Sequence, residues 1–295
     1  MTYREIYTAG MKKLEEAGIE EAALDARLLL EYICGTDRNH LLVYGDRPVE
    51  EDLKQQYQEF IRQRADRIPL QHLTGMQSFM GLDFLVNEHV LIPRQDTEIL
   101  VEEALKNLHD SMDILDLCTG SGCILISLLR YSNDCRGMGV DISPEAVSVA
   151  GRNAERLIPE GLLQEGEEGG GRLKFLVSDL YERVEGVFDI IVSNPPYIPT
   201  GVIGTLMPEV RDHEPRLALD GSEDGLLFYK RIIEGSRAHL KKGGMLFFEI
   251  GYDQGDAVRE LMERADFLEI QVIKDYAGLD RVVYGTLGFE AMYSR

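Results

Sequence analysis

The sequence predicts an α/β protein in which a mostly parallel, seven-stranded sheet with helices on both faces follows a small helical domain. Three observations carry that expectation. Up to about residue 75 the apolar residues recur at helical spacing only, whereas from Gln95 onward short apolar runs alternate with helical stretches, the rhythm of a parallel sheet. The last two runs, EIQVIKD and RVVYGTL, have only Tyr276 to Asp280 between them, too little for a helical crossover, so they should pair antiparallel at the end of the sheet.

In chain order, Thr2-Tyr3-Arg4-Glu5 has the spacing of a capping box and opens a helix with Ile6, Leu14 and Ala17 on one face and a stop at Gly18. A second helix is expected from about Glu20 through Leu24, Leu28, Leu29 and Ile33 to Gly35. A third runs from about Val49 through Leu53, Tyr57, Phe60 and Ile61 to Arg67. Residues 1–75 are assigned to this helical domain. Pro69 and Gly75 then break the periodicity, and SFMGLDFLVN alternates as a hairpin turning near Gly81 and Leu82, which makes residues 76–95 a β-hairpin linker. Residues 96–295 form the sheet domain. Its strands are DILDLCT, GMGVDIS, KFLVSDL, FDIIVSN, MLFFEIG and the closing pair, with helices at Thr97 to Leu108, Cys123 to Arg130, Pro144 to Leu157, Leu226 to Leu240 and Gly255 to Ala265. GLLQEGEEGGG, at 161–171, reads as a surface insertion without chemistry.

A chain of 295 residues is long enough for one large unit and one smaller one, and hydrophobic content of 44% with 28% charged residues is that of a globular protein. No apolar run is long enough to cross a bilayer, and the N-terminus lacks the order of a secretory signal. Cys34, Cys118, Cys123 and Cys135 form no C-x-x-C pair, so a reducing cytoplasm and no metal centre are expected. The formal charge of −21 argues against duplex DNA, whose phosphates call for clustered Lys and Arg. The nearest basic group, RQRADR at 62–67, shares its helix with Glu50, Glu51, Asp52 and Glu59 and reads as a solvated face.

Asp116-Leu117-Cys118-Thr119-Gly120-Ser121-Gly122 follows a strand and opens a helix. Small residues there let backbone N–H groups at the helix start approach a ligand. Asp141 ends the next strand 25 residues after Asp116, where a carboxylate would meet a ribose diol. Dinucleotides and S-adenosyl-L-methionine both use that arrangement. The methyl donor is favoured because Cys118 stands where a dinucleotide fingerprint has its first glycine. Asp116, moreover, would repel a pyrophosphate but hold a cationic amino-acid moiety. Asp179, ending the third strand beside Leu180, reads either as a neighbour for an adenine amino group or as a solvated strand-end carboxylate.

Asn194-Pro195-Pro196-Tyr197 ends the fourth strand, on the carboxyl edge where ligands bind in open parallel folds. Two prolines fix the backbone and remove N–H donors, leaving carbonyl oxygens, and Asn194 adds an amide oxygen. A set of acceptors suits a substrate NH2 group, whose methylation by in-line displacement needs positioning and electrostatics rather than a strong base. Asn194, Pro195 and Tyr197 are therefore the candidate catalytic residues, with Pro196 completing the substrate pocket and Tyr197 packing on the flat face of the substrate.

Taken in order, PLQHLTG, LIPRQDTEILVEEAL, DLCTGSGC, VDIS, SNPPYI, EPRLALDGSEDGL, GGMLFFEIG and AGLDRVVYG resemble the bacterial peptide chain release factor glutamine methyltransferases, the HemK or PrmC family, over nearly the whole chain. The resemblance implies a Rossmann-like, seven-stranded class I S-adenosyl-L-methionine-dependent methyltransferase domain behind a small helical substrate-binding domain. It also implies transfer of a methyl group to the glutamine side chain of the GGQ motif in class 1 release factors, modulating translation termination. Carried across, it assigns the donor to Asp116, the 118–122 loop, Asp141, Asp179, Leu180 and Asn194, and the target amide to Asn194 and Pro195. A monomer acting on a protein, with no DNA and no membrane, is expected. The sequence departs from the family at His72, often Tyr, at Gln95, often Pro, and at Leu279, often Arg. A DNA adenine N6-methyltransferase using the same four residues is the alternative.

Overall fold

The computed structural model describes residues 1–158 and 172–288, so the stretch at 161–171 lies outside the described residues. The chain divides into a helical unit, Met1–Met76 with Met207–His213, and a sheet unit, Gln77–Leu206 with Glu214–Arg295.

In the helical unit, α1 (Tyr3–Glu16) starts on the expected capping box: the Thr2 hydroxyl accepts from the Glu5 amide at 3.3 Å and the Glu5 carboxylate accepts from the Thr2 amide at 2.9 Å. Helix α2 (Ala22–Cys34) ends at Gly35 in the left-handed region, φ 57°. Two short helices, α3 (Arg38–Val43) and α5 (Leu70–Thr74), flank α4 (Glu51–Ala65) and were not expected, because five or six residues are too few to show a period. Leu14, Leu29, Leu30, Tyr57 and Ile61 make the core. Tyr57 lies on Gly10, where a Cβ would stand 2.2 Å from its hydroxyl oxygen, and that hydroxyl donates to the Ala26 carbonyl at 3.1 Å.

The RQRADR stretch is not a uniformly solvated face. Arg62 is exposed between Glu59 and Asp66, but Arg64 is only 8% exposed, with Asp25 at 2.7 Å and Glu209 at 3.0 Å. Glu209 also takes Arg67 at 3.2 Å. It sits in a short helix, Pro208–His213, which the chain contributes to this unit from far downstream. Two carboxylates distant in sequence make burial of Arg64 tolerable, and a local charge count does not reveal them.

In the sheet unit, β1 (Met76–Phe79) and β2 (Leu82–Leu85) form the hairpin. It turns at Met80 and Gly81, both at positive φ, one residue before the expected position. Phe79 and Phe84 bury edge to face with centroids 6.0 Å apart, in one core with residues of the helices behind the sheet. The Asn153 side chain bonds both the amide and the carbonyl of Leu85, at 2.7 and 3.0 Å. Of residues 76–95, read from the sequence as a β-hairpin linker, those from Gln77 onward fall within the sheet unit.

The large sheet comprises β3 (Asp113–Leu117), β4 (Arg136–Asp141), β5 (Leu173–Val177), β6 (Phe188–Ser193), β7 (Leu240–Glu249), β8 (Phe267–Lys274) and β9 (Asp280–Leu287), in the order β5-β4-β3-β6-β7-β9-β8. Only β9 runs antiparallel to its neighbours, as the short 276–280 connection requires. Alternation sends Phe247 and Phe248 to opposite faces. Phe247 packs with Leu100, Leu125 and Leu128, and Phe248 with Leu115, Ile191 and Leu246. Helices α6 (Gln95–Asn107), α7 (Cys123–Arg130) and α8 (Pro144–Leu157), with Leu227–His239 and Gly255–Arg264, complete the unit. The order reverses between β3 and β6, so the loops after those neighbouring strands diverge and leave a crevice. Among the described residues no helix is long and apolar enough to cross a membrane.

Candidate active site

The crevice is built by register. Leu117 pairs with Ser193, and the Ser193 hydroxyl donates to the Leu117 carbonyl at 2.7 Å, so Cys118 and Asn194 leave the sheet side by side. Cys118 stands at φ 60° and Gly120 at φ 54°, a turn that left-handed residues make possible. The Thr119 amide returns to the Val140 carbonyl at 2.9 Å. Asp141 accepts from the Gly120 amide at 2.9 Å and the Ser143 amide at 3.0 Å, one for each oxygen. Burial pushes the Asp141 carboxyl upward and these amides hold it down. A Cβ on Gly120 would meet nothing within 4 Å, whereas one on Gly122 would meet Ile126 at 3.0 Å and Ala150 at 3.1 Å. Gly120 therefore faces the open crevice and Gly122 lets α7 pack on α8.

A cavity of about 260 Å³ lies over these strand ends, lined by Cys118, Thr119, Gly120, Ser121, Asp141, Asp179, Leu180, Asn194 and Pro196 among the residues expected from the sequence. Asp116, Gly122, Pro195 and Tyr197 are not on its wall. Asp116 is 0% exposed; one oxygen accepts the Thr119 hydroxyl at 2.6 Å and the other has no partner. Burial, reinforced by the charge of Asp141, lifts its carboxyl to about 7. It lies beneath the loop, off the cavity wall. Asp179 is engaged by Arg231 at 2.9 Å. Arg94, the other cation on the wall, is in an ion pair with buried Glu214. With both cations already paired, Asp141 and Glu88 leave the cavity acidic.

At the β6 end the Asn194 side-chain NH2 donates to the Thr97 hydroxyl oxygen at 3.4 Å, and its Oδ1 accepts no hydrogen bond among the described residues. The same holds for the carbonyl oxygens of Asn194, Pro195 and Pro196. Tyr197 is placed otherwise than expected. Its hydroxyl turns inward and donates to the Glu249 carboxylate at 3.2 Å, its ring packs against the core, and burial drives its pKa well up. A buried carboxylate at the end of β7 needs a donor, and that need outweighs exposure of the phenol.

Residues 5–75 match the PrmC N-terminal domain, and residues 94–206 match the methyltransferase small domain. The release factor glutamine methyltransferase of Geobacter sulfurreducens is 41% identical over 93% of this chain and 93% of its own length. That of Caulobacter vibrioides is 40% identical, over 97% and 96%. The chain belongs to the release factor glutamine methyltransferase family. A crystal structure of a methyltransferase from Pyrococcus furiosus covers 72% of this chain and 92% of its own, with TM-score 0.50 and 19% identity, a likeness of fold.

Part of this methyltransferase's cavity escaped the sequence reading. His89, Val90, Leu91 and Pro93 line it from the segment after the hairpin, Pro215, Leu217 and Ala218 from the segment before helix 227–239, and Phe228 and Arg231 from that helix. Glu214 joins the first two segments, accepting the Ile92 amide at 3.3 Å as well as pairing with Arg94. PRQDTE and EPRLALDG, motifs that had a resemblance but no chemistry, thereby acquire a shared structural role. Their separation of 120 residues hid it.

Proposed function

We propose that this protein transfers a methyl group from S-adenosyl-L-methionine to the side-chain amide nitrogen of the GGQ glutamine in class 1 peptide chain release factors. The observation that carries the reading is the orientation of Asn194: its NH2 is taken by Thr97, which turns Oδ1 away as an acceptor on the cavity wall. A glutamine NH2 needs acceptors, and Asn194 and Pro196, the two residues of the turn that line the cavity, carry unmet oxygens in a segment that two prolines have emptied of competing donors.

The residues on the other side of the cavity suit the donor. Gly120 gives close backbone approach, Asp141 faces the region a ribose diol would occupy, and an acid-lined wall favours a cation and disfavours a pyrophosphate. When bound, the donor supplies an electrophilic methyl group on a sulfonium. The chain's own contribution is to hold the acceptor nitrogen in line and to draw its N–H bonds toward fixed oxygens, which favours the pyramidal nitrogen of the transition state. The nitrogen sheds its proton after it has bonded to carbon, so no strong base is required at the start.

The helical unit, residues 1–75, is read as the part that grips the protein substrate, and the enzyme as a metal-free monomer acting in the cytoplasm. Resemblance and the −21 charge favour a protein over a duplex. The test is incubation with labelled donor and a release factor, with and without its GGQ glutamine. Label in the first and none in the second is expected; transfer to duplex DNA instead would sink the reading.

A further inference from the structure

Residues 214–221 run along the cavity with each end fastened to a different part of its surroundings. At the first end Glu214, 5% exposed and off the cavity wall, commits both carboxylate oxygens to the segment after the hairpin: one takes the Arg94 guanidinium and the other the Ile92 amide at 3.3 Å. That segment packs through Val90 on Ala146 and Val149 of α8, the helix that starts just after Asp141. At the second end the chain meets Ile198, next after Asn194-Pro195-Pro196-Tyr197. The Ile198 amide donates to the Leu219 carbonyl at 3.0 Å, and the Ile198 carbonyl accepts from the Gly221 amide at 2.8 Å, a parallel bridge centred on Asp220. Gly221 lies against the turn itself, since a Cβ there would stand 2.8 Å from the Tyr197 backbone. Between the two anchors the chain makes one tight turn, Arg216–Ala218, and presents Pro215, Leu217 and Ala218 as cavity wall.

We infer that residues 214–221 are a strap between the donor side of the cavity and the Asn194 turn, and that Glu214 is the positioning residue that keeps it taut. The inference rests on the acceptor role proposed for that turn. In-line transfer requires donor and acceptor groups held in one geometry, and a shift of about 1 Å costs on the order of 10²-fold in rate. The two sides come from strands that diverge at the crevice, so a connection outside the sheet is needed to fix their spacing. Eight residues with a closed turn and bonds at both ends leave little slack. A carboxylate with both oxygens engaged holds Ile92 by its backbone and Arg94 by its side chain, and a charged acceptor holds them more firmly than a neutral one. With that end released, residues 214–218 are free to move about the bridge at Ile198, which opens the wall and loosens the turn together. Glu214 touches neither reactant; it acts through the strap.

The test uses the full chain and looks at each end for the effect of a change at the other. Glu214→Gln keeps the shape and removes the charge. It should raise Kd for S-adenosylhomocysteine about 10-fold, the scale of one hydrogen bond to a charged group, and should also lower kcat at saturating donor about 10-fold. Gly221→Ala drives a methyl against the Tyr197 backbone and should raise the same Kd severalfold although it lies beside the turn. Hydrogen exchange read by NMR gives a measure apart from turnover: in Glu214→Gln the Ile198 and Gly221 amides should exchange at least 10-fold faster, while the Thr119 amide, bonded to Val140, keeps its parent rate. A raised Kd with normal kcat and unchanged exchange at Ile198 makes Glu214 a local prop and overturns the strap. Faster exchange at Thr119 as well marks a general loosening and also overturns it. If Glu214→Gln does not fold, Gly221→Ala decides, and an unchanged Kd there overturns the inference. Normal turnover in Asn194→Ala overturns the acceptor role of the turn, and this inference with it.

Discussion

The ends of β3 and β6 lie side by side and treat their polar groups in opposite ways. After β3 the loop closes on the protein itself: Thr119 bonds back to β4, and both oxygens of Asp141 are met by backbone amides. After β6, three successive carbonyls and the Asn194 Oδ1 are met by nothing among the described residues. One end is tied back to the protein at Thr119, Gly120 and Asp141, with Asp116 Oδ1 and Ser121 Oγ left unmet beneath the loop. The other presents a set of acceptors that no group of the described residues meets. Prolines make the difference possible, because a residue with an N–H at 195 or 196 would supply an internal donor.

That contrast can be broken on either side. Asn194→Ala should have the largest effect, lowering kcat about 10³-fold, the range for loss of a positioned polar group, while calorimetry finds S-adenosylhomocysteine bound as before. Asp141→Ala should do the reverse. It releases the Gly120 and Ser143 amides and should weaken S-adenosylhomocysteine about 10- to 100-fold, for the loss of charge-assisted bonds, with kcat at saturating donor much less affected.

Asp116 sharpens the comparison through pH. Its folded carboxyl is lifted to about 7, so between pH 4 and 7 the native state holds a proton that the unfolded chain gives up. Stability carried by the protonated group is complete below the unfolded value and is lost as pH rises toward 7. Asp116→Asn removes this dependence and should raise stability at pH 8 by on the order of 4 kcal/mol, with the gap to the parent closing near pH 4 in urea titrations. Ser193→Ala should be the mildest change. It deletes the 2.7 Å bond between the two strand ends and should cost about 1 kcal/mol, visible in the same titrations, with donor affinity intact.

How much of this could be read beforehand follows from how local each signal is. The seven strands, the Gly-rich turn and Asn194-Pro195-Pro196 are short, contiguous patterns, and the sheet brings their ends to one edge. The inward turn of Tyr197 was hidden because it depends on Glu249, 52 residues on, and the cavity wall at 214–218 because it depends on Arg94 and Ile92. Asp116 was read as a ligand-facing acid since its place at a strand end is all that the sequence shows. Whether a strand-end side chain points up to the crevice or down into the core is settled by the neighbouring Thr119 hydroxyl, a three-residue contact whose direction no spacing gives.

The inserted helix at 208–213 bears on how the protein can be taken apart. Arg64 is neutralised by one carboxylate from the N-terminal helices, Asp25, and by that of Glu209, which the chain supplies only after passing through most of the sheet. Modularity in space is therefore not modularity in the gene. A fragment ending near residue 76 would keep every helix from α1 to α5, yet it would carry a guanidinium stripped of half its countercharge. Partial loss of a buried ion pair costs on the order of 3 kcal/mol, a large fraction of what so small a domain has to spare.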